Sequence, residues 1–90
     1  MIIGELKWDD DNVDHIARHN VTPAEVQDVC YGLHLSEKAG RNRYVLSGQS
    51  DVGRYLNVVI ERIGKGLFRP ITAFEMSDSY KLRYKTRFKK

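Results

Sequence analysis

The stretch of sequence that decides the fold runs from residue 21 to residue 32, VTPAEVQDVCYG. Thr22 can cap a helix, and Glu25, three positions later, completes a capping box. Pro23 suits the first helical position because it has no N–H to satisfy there and its φ is already helical. The pattern therefore predicts a helix that begins here and ends before Gly32. Its predicted inward face consists of Val26, Val29 and Cys30.

A first, shorter helix is predicted upstream. The acidic run at residues 9–11 can cap a helix and complement the positive end of its dipole. The apolar face at helical spacing consists of Val13, Ile16 and Ala17. We expect this helix to end near Arg18, with a left-handed residue at Asn20 and a short strand at residues 5–8 in front of it.

Downstream of Gly32 the spacing of the hydrophobic residues changes from about 3.6 residues, typical of a helix, to 2 residues, typical of a strand. Strands are predicted at residues 33–36, 43–48, 54–62 and 67–75, with glycine-rich turns between them. Pro70 has no N–H for a ladder, so it should lie at an edge, a bulge or an unpaired position. A last helix is predicted from Ser77 or Asp78, with tyrosines and Phe88 on one face. The fold class is α+β, an antiparallel sheet carrying helices on one face.

Composition indicates one soluble globular domain spanning residues 1–90. Hydrophobic residues make up 41% of the chain and charged residues 30%, and 90 residues provide material for one core. Neither an apolar run long enough to span a membrane nor a signal peptide is evident, so we expect no membrane contact and a cytoplasmic location. Cys30 is the only cysteine, which excludes an internal disulfide and a thiolate-rich zinc site.

The net charge of +3 is unevenly distributed. Residues 1–30 carry seven acids and two bases, residues 38–69 carry seven bases and two acids, and residues 81–90 carry six bases and no acid. This asymmetry favours a polyanionic partner, above all nucleic acid. The basic tail can stack on bases and neutralise phosphates, or it can be an amphipathic helix with a solvated charged face and a packed aromatic stripe.

Two sets of side chains are candidates for chemistry. His15 and His19 are four residues apart, but no third ligand accompanies them, so we expect no metal; histidine can still move protons near neutral pH. Arginines belong to or border the predicted strands. They can pair with the acidic first helix or line a phosphate-binding concavity, and spacing alone leaves both interpretations open. These are Arg43, Arg54, Arg62 and Arg69.

Three segments of the chain resemble the BrnT family of ribonuclease toxins. The first combines Trp8-Asp9, Asn12 and Ile16 with HNVT at residues 19–22; the second combines Arg43, GQS at 48–50, GR at 53–54 and LNVV at 56–59; the third is FRPITA at 68–73. The resemblance implies a RelE-like fold, with two N-terminal helices and a C-terminal helix on a curved antiparallel sheet of about four strands.

The same resemblance implies a type II toxin-antitoxin toxin that cleaves RNA without metal or other cofactor and inhibits translation and growth. It also implies a cognate ribbon-helix-helix antitoxin of the BrnA type, encoded beside the toxin. Operator DNA would be bound only through that antitoxin.

Carried over position by position, the resemblance implies four catalytic residues. His19 matches the histidine of a Lys/Arg-His-Gly segment, Arg54 the arginine before the central strand, Arg69 the arginine opening the last strand, and Tyr84 a C-terminal tyrosine. The predicted RNA-binding residues are Arg43, Lys81, Arg83 and Arg87. The chain departs from the family at Phe74, where the family has arginine, and at Tyr80-Lys81, where it has Glu-Arg.

RNA cleavage without metal needs a base for the 2′-hydroxyl, cations for the phosphate and an acid for the leaving oxygen. The resemblance assigns Arg54 and Arg69 to the phosphate and His19 or Tyr84 to proton transfer. The alternative is a catalytically silent relative on the same fold, a module that binds protein or RNA. Phe74 and Tyr80 favour this alternative.

Overall fold

The computed structural model describes residues 1–88, which form one sheet and three helices. The helices are α1 (Asp10–Ala17), α2 (Pro23–Tyr31) and α3 (Asp78–Phe88). The strands are β1 (Glu5–Leu6), β2 (His34–Gly40), β3 (Arg43–Gln49), β4 (Tyr55–Gly64) and β5 (Leu67–Glu75). The predicted α+β class is therefore confirmed.

The sheet has the order β1-β5-β4-β3-β2. Strands β2 to β5 form an antiparallel meander, as hairpin connections predict. The prediction of about four antiparallel strands is wrong in one respect, because β1 adds a fifth strand that pairs in parallel with β5. A strand of two residues is too short to show an alternation of polar and apolar side chains, so the sequence does not predict its pairing. Strand β2 also continues to Gly40 through a polar, exposed segment that has no hydrophobic pattern.

Helices α1 and α2 pack on one face of the sheet. Each begins with a capping box, formed by Asp9 and Asn12 in α1 and by Thr22 and Glu25 in α2. The predicted start of α2 is thus confirmed. The core beneath them consists of Ile3, Ile16, Val21, Val26, Val29, Cys30, Leu46, Leu56, Val58, Ile60, Phe68 and Ala73.

The predicted apolar face of α1 is only partly correct. Ile16 is fully buried, whereas Ala17 is exposed and Val13 is half-buried. Asn12 is buried instead, and its amide donates to the carbonyl oxygen of Lys7 at 3.0 Å while its side chain closes the capping box. A buried amide is tolerated at this position because its hydrogen bonds are made.

Helix α3 lies on the opposite face of the sheet. Tyr84 packs edge to face on Tyr55, with 6.0 Å between ring centroids, and strand alternation places Tyr55 on the face away from the buried Leu56. The expectation that every helix lies on one face is therefore wrong. An amphipathic stripe shows that a helix packs, but it does not show which face of the sheet it packs against.

Two backbone predictions are confirmed. Asn20 adopts a positive φ of 59° between α1 and α2. Pro70 lies at a β-bulge, since the β4–β5 register shifts between the Val59↔Thr72 and Ile60↔Pro70 pairs. The bulge lets an interior strand accommodate a residue that cannot donate to the ladder.

Candidate functional site

Arg54 lies at a corner of the molecule where the α1–α2 loop meets the start of β4 and the end of β5. Its Nη1 donates to the carbonyl oxygen of Asn20 at 2.6 Å and to the two carboxylate oxygens of Glu25 at 2.9 and 3.1 Å. Its Nη2 donates to Glu75 at 3.2 Å. The guanidinium therefore forms hydrogen bonds with three residues.

The two carboxylates on Arg54 differ in exposure. The side chain of Glu25 is only 12% exposed and also caps α2, so it fixes the guanidinium firmly. The side chain of Glu75 is 73% exposed. An exposed ion pair contributes little to stability, so Glu75 can move aside at small cost. The Nη2 side of Arg54 is therefore available to an incoming anion.

His19 and Phe74 are the residues directly before Asn20 and Glu75, the partners of Arg54, and their rings lie near each other. His19 directly precedes the Asn20 carbonyl that Arg54 binds, and its ring lies 6.3 Å from the ring of Phe74, measured between centroids. His15, one turn earlier on α1, lies 5.9 Å from His19. Both histidines and Phe74 are exposed. The corner thus combines a group that can exchange protons, a cation and an aromatic surface, and it is called the Arg54 corner below.

Arg69 lies elsewhere. It donates from Nε and Nη2 to the carboxylate of Asp9, at 3.1 and 3.2 Å. Its partner across the ladder is Glu61, near the far end of β4 from Arg54, a separation on the order of 20 Å at the rise of a strand. Arg43, opposite the same Glu61, forms an ion pair with it at 3.2 Å. The structure therefore does not bring Arg69 or Arg43 to the Arg54 corner.

Backbone and guanidinium donors both act on Asp9. The N–H of Asn12 and then Arg69 lower the pKa of this carboxyl below its ordinary value of 3.8. Of the two interpretations open for a strand arginine, pairing with the acidic first helix describes Arg69 in this structure.

Tyr84 is buried on the α3 face of the sheet. Its hydroxyl donates to the carbonyl oxygen of Leu33 at 3.3 Å, and its ring packs between Tyr55 and Phe88. Burial, and secondarily Tyr55, raises the pKa of Tyr84 above its ordinary value of 10.0. A phenol in this environment keeps its proton at neutral pH.

The cations of α3 contact groups on the sheet and on the helix itself. Arg83 pairs with Glu37 of β2 at 3.2 Å. The ammonium groups of Lys81 and Lys85 lie 5.5 and 5.1 Å from the centre of the Tyr55 ring, and Arg87 lies 5.8 Å from that of Phe88. Three of the four predicted RNA-binding residues therefore share one helix, while Arg43 lies on the sheet.

The remaining candidates offer no further chemistry. Within residues 1–88, the structure groups no three histidine, cysteine or acidic side chains in a way that could hold a metal ion. Burial raises the pKa of the Cys30 thiol from 9.0 to about 12, so it is not activated as a nucleophile. It belongs to the core, as its place in the helix pattern predicts.

The sequence gives no sign of a site role for Glu25 or Glu75, and it marks Phe74 only as a departure from the arginine of the family. The capping pattern predicts one role for Glu25 and hides its second contact, with Arg54. Glu75 pairs with Leu56 across the β4–β5 ladder, two positions beyond Arg54. The hairpin register could therefore have placed Glu75 and Phe74 near Arg54, but that register depends on the bulge at Pro70.

Comparison with solved structures reveals the same architecture in another protein. The crystal structure of the Brucella abortus ribonuclease toxin BrnT superposes with a TM-score of 0.66, over 82% of this chain and 97% of that one. This chain shares the fold of a ribonuclease toxin. The aligned residues are 16% identical, so the likeness to BrnT is one of fold. Neither a protein-family model nor a curated protein matches the sequence. No helix in the described part of the chain is long and apolar enough to cross a membrane.

Proposed function

We propose that this protein is a metal-independent endoribonuclease toxin similar to BrnT, with its cleavage site at the Arg54 corner. The observation that carries the proposal is that the His19 and Phe74 rings lie 6.3 Å apart beside the two residues, Asn20 and Glu75, that Arg54 binds, on a fold shared with a ribonuclease toxin. His19 and Arg54 are also two of the four catalytic residues that the family resemblance implies. The geometry favours structural roles for the other two, Arg69 and Tyr84.

The corner contains the groups that strand cleavage needs. As the 2′-hydroxyl oxygen bonds to phosphorus, its proton passes to a base; the bond to the 5′ oxygen breaks, and that oxygen takes a proton from an acid. His19 and the exposed Glu75 are suited to these two proton transfers. Arg54, oriented by the buried Glu25, offers Nη2 to the phosphate oxygens. The exposed ring of Phe74 provides a surface on which a neighbouring base can stack.

In the cell, the proposal places this protein in a toxin-antitoxin pair. RNA is its substrate, and a ribbon-helix-helix antitoxin of the BrnA type is its partner in the cytoplasm. Operator DNA is reached only through that antitoxin. The cations Lys81, Arg83 and Arg87 would follow the RNA backbone along α3.

The purified protein should cleave single-stranded RNA in the presence of EDTA. His19→Gln should lower the rate by about 10²-fold, since a positioned proton-transfer group contributes about that much. His19 is exposed, so this variant keeps the fold. Arg54→Gln should also lose activity, with a matched control in Arg69→Gln, which should keep it. Circular dichroism and a thermal melt check that both arginine variants are folded.

The alternative function is a silent module that binds protein or RNA. It is favoured by the ion pairs that engage the guanidinium groups of Arg43, Arg54, Arg69 and Arg83. Wild-type protein that binds RNA without cutting it, and whose expression alone leaves cell growth unimpeded, would establish this alternative. Growth arrest with loss of RNA, reversed by the product of a neighbouring gene, would establish the toxin.

A further inference from the structure

Two leucines are unusually exposed where α3 crosses the start of β2. Leu33 is 70% exposed and Leu82 is 67% exposed. Both line an open cavity of about 620 Å³ together with Tyr55 and Phe88. Other exposed apolar side chains, such as Val52 at 79%, are not among the residues lining this cavity. Apolar residues that cluster on the surface of a small protein mark an interaction site.

A second hollow adjoins the first. It has a volume of about 480 Å³, and Leu35, Leu82 and Thr86 are among its lining residues. Leu82 and Thr86 line both hollows, so Leu82 forms a ridge between them. The two hollows and this ridge are called the α3 groove below. A helix presents apolar side chains at i and i+4, about 6 Å apart, which suits one side chain on each side of such a ridge.

Cations surround the α3 groove. Arg83 and Arg87 line the second hollow, and Lys85 lines the first. Glu37 contributes the carboxylate that pairs with Arg83. α3 carries four basic residues and one acidic residue, Asp78, which lies at its first position, away from the groove. A partner that covers the leucines must bring acidic side chains against this rim.

We infer that the α3 groove is a docking site for an acidic amphipathic helix of a partner protein. The apolar face of that helix would cover Leu33 and Leu82, and its flanking carboxylates would meet Arg83 and Arg87. Single-stranded RNA fits the rim but offers no aliphatic surface to the leucines, so the apolar floor favours a protein. Where the proposed function holds, the docked helix also covers cations assigned to RNA and competes with it.

The test is an NMR titration of the full chain with three synthetic helical peptides of about 14 residues. The first carries leucines on one face and glutamates on the other; the second has lysine for glutamate; the third has alanine for leucine. A 2′-O-methyl oligoribonucleotide is the fourth probe. Among the peptides, only the first should shift the methyl signals of Leu33, Leu35 and Leu82, and its affinity should fall as salt is raised.

Leu82→Ser should weaken binding of the first peptide about tenfold, equivalent to about 1.4 kcal/mol, because it removes one buried anchor of the interface. The matched control is Val52→Ser, which removes another well-exposed apolar side chain, 79% against 67% for Leu82, from a loop outside the groove and should leave binding unchanged. Both sites are exposed, so both variants keep the fold.

The inference is overturned if the acidic peptide shifts no groove methyl, if Leu82→Ser binds it as tightly as wild type, or if the lysine peptide binds equally well. Shifts of the groove methyls by the oligoribonucleotide alone would make the groove an RNA surface. Absence of ribonuclease activity leaves the peptide titration intact, so failure of the proposed function and failure of the docking site are distinguishable.

Discussion

Arg54 joins three parts of the chain that are far apart in sequence: the loop at Asn20, the cap of α2 at Glu25 and the end of β5 at Glu75. A structural and a functional role are compatible here because the two sides of the guanidinium have different partners. The buried Glu25 fixes one side, and the exposed Glu75 covers the other. Arg69 differs from Arg54 in this respect. Both of its donating nitrogens bind one carboxylate, that of Asp9, which caps α1.

The pair formed by Asp9 and Arg69 makes stability sensitive to acid. The pKa of Asp9 is lowered in the folded protein, so its contribution to stability is present above the ordinary value of 3.8 and is lost as pH falls through the folded value. Asp9→Asn keeps a capping side chain but cannot titrate. We therefore expect the free energy of unfolding to fall less between neutral and low pH in Asp9→Asn than in wild type. Urea unfolding at each pH measures this difference.

Arg69→Met serves as the companion variant. It removes the cation but keeps the stronger influence on Asp9, the backbone N–H of Asn12, so the acid dependence should shrink only in part. An acid dependence of Asp9→Asn as steep as that of wild type would show that other carboxyls dominate.

At the level of elements, α2 depends on its N-terminal cap. The Thr22 hydroxyl accepts from the N–H of Glu25 at 3.2 Å, and the Glu25 carboxylate accepts from the N–H of Thr22 at 3.2 Å. Thr22→Ala should lower the free energy of unfolding by about 1 kcal/mol. Thr22→Ser retains the hydroxyl and should change it by only a few tenths of a kcal/mol. Urea unfolding measures both, and equal losses in the two variants would contradict the capping role.

Elements with a local cause could be predicted from the sequence. The cap of α2, the left-handed Asn20 and the bulge at Pro70 each follow from the chemistry of one or a few neighbouring residues. The parallel pairing of β1 and the face occupied by α3 depend on distant partners, and no local pattern records them. The sequence therefore predicts the elements better than their arrangement.

The same distinction applies to the Arg54 corner. The resemblance implies catalytic roles for His19 and Arg54, and the structure places the Asn20 backbone, next to His19, against Arg54. It implies the same role for Arg69 and Tyr84, but Arg69 lies near the far end of β4 and Tyr84 on the α3 face. A family motif orders residues along the chain, whereas their distance in space depends on strand register and on the face each side chain occupies.

Across the whole molecule, the sheet separates charge of opposite sign. α1 and α2 together carry five acidic residues and no lysine or arginine, whereas α3 on the other face carries four basic residues and one acid. The uneven charge along the sequence thus becomes a difference between two surfaces. A polyanion approaching this protein is attracted more strongly to α3 than to the acidic helices α1 and α2.

Where the proposed function holds, this charge separation predicts how RNA binding responds to salt. Each phosphate contact on single-stranded nucleic acid contributes about −0.7 to the slope of log K against log salt concentration. Lys81→Gln and Arg87→Gln should each make the slope shallower by about that amount, and the double variant by about twice as much. Fluorescence anisotropy with a labelled 2′-O-methyl oligoribonucleotide, which cannot be cleaved through its 2′ oxygen, measures the slope between about 50 and 200 mM salt.

Lys65→Gln, in the turn between β4 and β5 and away from α3, is the matched control and should leave the slope unchanged. A slope that responds to Lys65 but not to Lys81 or Arg87 would place the RNA on another surface, because counterion release reports only the cations that contact phosphate.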